Sequence, residues 1–190
     1  MSVISLELNE LNFDTVKKYI EDGQLPNFGA LFDRCQIRET VSEKKYKHLE
    51  PWIQWPTVYS GMSFDEHRLF RLGDSVDIEY QQIFERVENM TDRPVVAISP
   101  MNAVNRVSQR SIFVPDPWTK TNITGPWDCQ IISKIINNLV NNNSHGLSLS
   151  LKDGLLFIAC LTRNLNFMLL FPLLKELMRS IKNKWARPLV

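Results

Sequence analysis

The stretch from Glu50 to His67 gathers more chemistry-bearing side chains than any other part of the chain: Glu50-Pro51-Trp52-Ile53-Gln54-Trp55-Pro56-Thr57-Val58-Tyr59-Ser60-Gly61-Met62-Ser63-Phe64-Asp65-Glu66-His67. Its Pro56-Thr57 pair predicts a helix that opens at Pro56 and runs over 57–62. A hydroxyl at a helix start lies at the positive end of the dipole. Free backbone N–H groups there can hold an anion. Such a hydroxyl could attack phosphorus if a metal lowered its pKa. The plainer alternative makes Thr57 an N-cap and Pro56 its usual neighbour. His67 has two readings as well: part of the site, or a side chain that caps or orients the Thr57 helix. Trp52 and Trp55 could stack on a substrate or fill the core. The run Glu43-Lys44-Lys45-Tyr46-Lys47-His48 is either a solvated loop or a patch that steers an anion toward Thr57.

Other chemistries find no support. No GxGxxG follows the first apolar run, and GKS, GKT and HExxH do not occur. Cys35, Cys129 and Cys160 form no CxxC and no zinc spacing, so they read as inert packing residues of a reducing compartment. No basic leader precedes Val3, and the expected location is cytoplasmic. The sequons at Asn89, Asn122 and Asn142 then read as chance matches. A net charge of +1 sets up no overall field for nucleic acid. With 44% hydrophobic and 23% charged residues, the chain can build a packed core. The most apolar run, 155–174, holds Arg163, Asn164, Asn166 and Pro172. It reads as two buried or interfacial helices, not a membrane span.

The elements that must position these residues follow from periodicity. Val3 to Leu8 predicts a strand. Asn12 caps a helix over 13–22 that Gly23 ends, with Phe13, Val16, Tyr19 and Ile20 inward. Asn27 caps a second helix through Phe32. A second strand is expected over 37–41, a helix over 78–89, a buried strand over 94–99 and another over 111–114. Asp128 caps a helix with Ile131, Ile132, Ile135, Ile136, Leu139 and Val140 at three- and four-residue steps. Alternating strands and helices predict an α/β fold with a largely parallel sheet, and ligands in such sheets sit beyond the carboxyl ends of the strands. The loops after Leu8, Val41 and Ser99 would form that rim.

Three motifs in this order carry a resemblance. Asn9-Glu10-Leu11 stands where an Asp-Gly-Leu would follow a first strand. Gly23-Gln24-Leu25-Pro26-Asn27 matches a G-x-LPN turn. Trp55 to His67 keeps a threonine, a glycine and a histidine at the spacing of a proline-threonine nucleophile followed by TGxxPxxHG. Residues 3–67 thus resemble the alkaline phosphatase superfamily, in particular its type I phosphodiesterase and nucleotide pyrophosphatase-like branch. Pro100-Met101-Asn102-Ala103 and Val114-Pro115-Asp116-Pro117-Trp118 look like features of a branch of it.

The resemblance implies a three-layer α/β sandwich with a largely parallel sheet, followed by C-terminal helices, as part of an incomplete domain. It implies a divalent metal, zinc or manganese, and a phosphate mono- or diester substrate. Thr57 would be both nucleophile and metal ligand. Asn9 would stand at the first metal-binding aspartate, and as a neutral ligand it removes one negative charge. Glu7 or Glu10 could compensate, and Glu10, Trp55 and His67 are the expected supporting residues. The family's further Asp and His ligands have no counterpart in the chain, whose histidines are His48, His67 and His145.

The expected organisation is a core over 1–149 and a helical segment over 150–190. The second carries seven basic and two acidic side chains, a net +5 that leaves −4 on the first. Its last helix, over 172–185, would pack on the core or a missing half, or lie on an anionic membrane surface. The functional expectation is the amino-terminal part of a metal-dependent phosphohydrolase or phosphotransferase. The alternative is a truncated, inactive relative that serves as a binding or interaction module, prone to self-association.

Overall fold

A computed structural model describes residues 3–38, 40–141 and 150–164. The described chain runs through helices α1 (Phe13–Glu21), α2 (Pro26–Arg34), α3 (Pro51–Ser60), α4 (Phe64–His67) and α5 (Ile83–Thr91). Strands β1 (Val96–Ile98) and β2 (Ile112–Val114) follow, then α6 (Trp127–Asn141) and α7 (Leu151–Asn164). Short 3-10 turns cover Tyr46–His48 and Asp74–Asp77.

The three-layer sandwich is not what the chain forms. Among the described residues the sheet has two three-residue strands, parallel, with Val96 opposite Ile112, Ala97 opposite Phe113 and Ile98 opposite Val114. The structure is mostly helical. Among the described residues no strand forms over 3–8 or 37–41. A strand is defined by its ladder, and an apolar run says nothing about whether a partner edge lies alongside. In Val3–Leu8 the apolar side chains stay in solvent, Ile4 at 92% exposure. The expectation for 94–99 also needs correcting. Only Ala97 is buried in β1, while Val96 and Ile98 are exposed.

Local chemistry explains the helices. Asn12 caps α1 through its side chain, which accepts from the Thr15 N–H at 2.8 Å. Gly23 follows the C-cap Asp22 with φ +70, as the left-handed C′ position requires. The α2 N-cap is Leu25 with Pro26 at the first helical position, so Asn27 lies inside the helix instead of capping it. Likewise Asp128 lies in the first turn of α6. In α5 a capping box joins Gln82 and Glu85.

The main core collects Tyr59 from α3, Phe84 from α5, Ala97 and Phe113 from the sheet, and Ala103 and Val107 beyond β1. Phe84 meets Phe113 edge-on at 5.4 Å and Tyr59 at 5.0 Å. Leu69, Ile78 and Val104 form a second cluster. The 150–190 segment is described to Asn164, and α7 lies against α6. The expected helix over 172–185, His145 and the second half of the 155–174 run lie outside the described residues. No helix of the described residues is long and apolar enough to cross a membrane. The three cysteines are free. Cys160 is buried as a packing residue would be, but Cys35 is exposed.

Candidate functional site

Helix α3 positions most of the candidate residues, and it begins earlier than the Pro56-Thr57 pair suggests. Pro51 takes the first helical position, and Pro56 lies inside the helix. An internal proline has no N–H for the carbonyl four residues back, that of Trp52. Asn102 Nδ2–H donates to that carbonyl instead, at 2.7 Å. The helix therefore accommodates Pro56 through a bond from another part of the chain.

Thr57 consequently sits in the last turn of α3, at the negative end of its dipole. Its own carbonyl accepts from the N–H of Gly61, which closes the helix at φ +73. The expected anion site at a helix start does not exist here, since an anion at a helix C-terminus is repelled. Thr57 Oγ1 lies 3.0 Å from His67 Nε2 and 3.4 Å from the Ile53 carbonyl. The structure thus joins two of the residues picked out by sequence.

The hydrogen bonds fix the roles in this pair. His67 Nδ1 accepts from the Leu69 N–H at 3.0 Å, so it carries no proton. Burial pushes the His67 pKa down, against the opposing charges of Glu43 and Glu66. The neutral ring then has its proton on Nε2 and donates it to Thr57 Oγ1. The threonine hydroxyl directs its own proton at the Ile53 carbonyl. His67 is an orienting donor in this arrangement, not a base that removes the Thr57 proton. Its helix α4 is itself held by a capping box between Ser63 and Glu66. The Phe64 N–H donates to Glu43 Oε1 at 2.7 Å.

The other candidates lie on a different face. Asn9 Oδ1 accepts from Trp55 Nε1–H at 3.1 Å, and Glu7 Oε2 accepts from the Tyr59 hydroxyl at 2.6 Å. Trp55 and Tyr59 are one turn apart and stack at 5.9 Å. Thr57 is two positions from each, about 200° round the helix. Asn9 and Thr57 are therefore on opposite sides of α3. Glu10 is exposed in a left-handed turn at φ +55. Burial and the Glu7 carboxylate both raise the Tyr59 phenol, which stays protonated and holds the 7–9 segment.

These residues do not fit a divalent metal. Asn9 Oδ1 is committed to an indole, and it and Thr57 Oγ1 do not converge. No group of three or more His, Cys, Asp or Glu suited to a metal occurs among the described residues. Trp52 is half-buried and anchored at its polar edge. Its indole N–H donates to the Phe70 carbonyl at 3.1 Å. His48 stacks on Phe64 at 3.7 Å, buried, so the basic run ends in the core.

Sequence reasoning undervalued Asn102 and Asp116. Asn102 is fully buried at φ +52. Its Oδ1 accepts from the Gly73 and Ser75 N–H groups at 2.9 and 3.3 Å, and its Nδ2 also donates to the Arg71 carbonyl at 3.1 Å. Asp116 accepts from the Asn102, Trp118 and Thr119 N–H groups and from the Thr119 hydroxyl. The signal was present: each follows a strand inside the two motifs Pro100–Ala103 and Val114–Trp118. Their role here is to tie α3, the 71–75 turn and both strand ends together.

No family model matches the chain, and neither the curated proteins nor the solved structures include a significant match.

Proposed function

We propose that this chain is a non-catalytic binding or interaction module, although its amino-terminal motifs resemble those of phosphohydrolases. The observation that carries this reading is the Leu69 N–H bond to His67 Nδ1, which leaves the ring proton of a neutral His67 on Nε2. With Nδ1 taken by the Leu69 N–H, the imidazole donates to Thr57 and leaves the hydroxyl without a base. The negative end of α3 adds a second obstacle to an incoming phosphate. Thr57 and His67 then act as a clamp between α3 and α4. The test is turnover of nitrophenyl phosphate and bis-nitrophenyl phosphate by the full chain with zinc or manganese. The expected rate equals that of Thr57→Ala. Turnover that Thr57→Ala abolishes would overturn the reading.

A second reading keeps Thr57 as the nucleophile of a metal-dependent phosphohydrolase or phosphotransferase. It is favoured by the order of the three motifs and by the 3.0 Å contact between Thr57 and His67. The same assay separates the two.

A further inference from the structure

A cleft of about 630 Å³ runs between one face of α6 and the loop 121–123. Trp127, Gln130, Ile131, Lys134, Asn137 and Asn138 line its helical side. These positions recur at three- and four-residue steps, so they form one stripe. The cleft is open to solvent along much of its length, so a ligand there would lie along the stripe with one side exposed.

The loop wall is pinned from behind. Asn105 N–H donates to Thr121 Oγ1 at 3.0 Å, and Asn105 Nδ2 donates to the Asn122 carbonyl at 2.8 Å and to Thr124 Oγ1 at 3.3 Å. Phe113 and Thr124 exchange both backbone bonds, at 2.9 and 3.1 Å. Gln130 Nε2 ties α6 to the Gly125 carbonyl at 3.0 Å. A wall held this way loses little freedom when a ligand enters.

The lining has a definite chemistry. Trp127 is 45% exposed, so part of its indole is open to the cleft and solvent. Lys134 makes no ion pair among the described residues, and the cleft lining contains no acidic side chain. The Asn137 and Asn138 amides can donate and accept. Trp127 and Lys134 are seven residues apart, about 10.5 Å along the helix axis.

We propose that this cleft binds a small phosphorylated ring compound of nucleotide size. Trp127 stacks on the ring, Lys134 meets the phosphate, and the amides read polar ring edges. The site shares no residue with the Thr57–His67 pair and stands independently of the reading given there.

Ligand-observed NMR and calorimetry on the full chain test it, with adenosine monophosphate, glucose 6-phosphate, adenosine and inorganic phosphate as probes. A nucleoside or a sugar phosphate is expected to bind at millimolar affinity or better. Trp127→Ala and Lys134→Met are each expected to weaken binding by about tenfold. Adenosine and phosphate alone bind more weakly than the compound that joins both features. Which phosphate ester binds better identifies the ring class. Circular dichroism melts confirm that both variants, at surface positions, remain folded. No binding of either ester at millimolar concentration overturns the proposal, and so does binding unchanged in both folded variants.

Discussion

At the scale of single residues, Thr57 and His67 are partners in stability. Thr57→Val removes the acceptor for a buried Nε2–H and should cost about 1–3 kcal/mol in denaturant unfolding. The pair also sets a pH dependence. Burial lowers the folded pKa of His67 beneath its unfolded value. Its contribution is therefore complete above the unfolded pKa, about 6.5, and is lost as pH falls through the folded value. Melting temperature should drop on acidification below neutral, beyond what the carboxylates produce. Glu43 and Glu66 face His67 and oppose the shift without reversing it. His67→Gln should flatten this part of the curve, and an unchanged slope would refute the assignment. Asn102→Ala is the most damaging substitution expected. It bares two N–H groups and two carbonyls and leaves alanine in a left-handed conformation. At about 1–3 kcal/mol per bared group, the loss approaches the whole stability of a typical domain. Its urea transition should shift sharply or lose cooperativity.

At the scale of elements, α3 shows what the sequence revealed and what it hid. Pro56-Thr57 resembles a helix start, but Pro51 supplies a better one, and the distant Asn102 allows the helix to run through Pro56. No local pattern contains that bond, so the sequence alone puts Thr57 at the wrong end of its helix. The α1 cap at Asn12 and the α6 periodicity were legible because they depend on neighbours three or four residues away. The strands over 3–8 and 37–41 were not, because a ladder is a property of two segments. The pairing of Thr57 with His67 came from a motif, while its proton direction depends on Leu69, which nothing in the sequence marked. The Pro56–Asn102 link gives a double-mutant cycle. In Pro56→Ala the new N–H can serve the Trp52 carbonyl, so Asn102→Ala should cost less there by about 1 kcal/mol. Additive costs would show that Asn102 does not compensate for the proline. Gly125 tests the loop beside β2. A Cβ there would meet Ile112 Cγ2 at 3.0 Å, at φ +132. Gly125→Ala should therefore destabilise by about 1–3 kcal/mol in thermal or urea unfolding.

At the scale of the whole molecule, the sheet is the unfinished part. β1 bonds to β2 through the Val95 carbonyl and the Ser99 N–H. In a parallel ladder alternate residues face a given neighbour, so Val96 and Ile98 turn their backbone groups to the other edge. No described strand pairs there, and both side chains are more than 60% exposed. Open edges with β-branched residues and no blocking charge are sites of pairing between chains. Ile4, Leu6, Leu155 and Ile158 add exposed apolar side chains elsewhere. The full chain should therefore associate as concentration rises, with an average mass in light scattering above that of one chain. Ile98→Lys puts a charge on the edge and should lower that mass without changing the melting temperature much, because the side chain is largely in solvent already. If Leu155→Asp lowers it and Ile98→Lys does not, association runs through α7 and not the sheet edge. A monodisperse monomer at every concentration would mean that neither surface pairs.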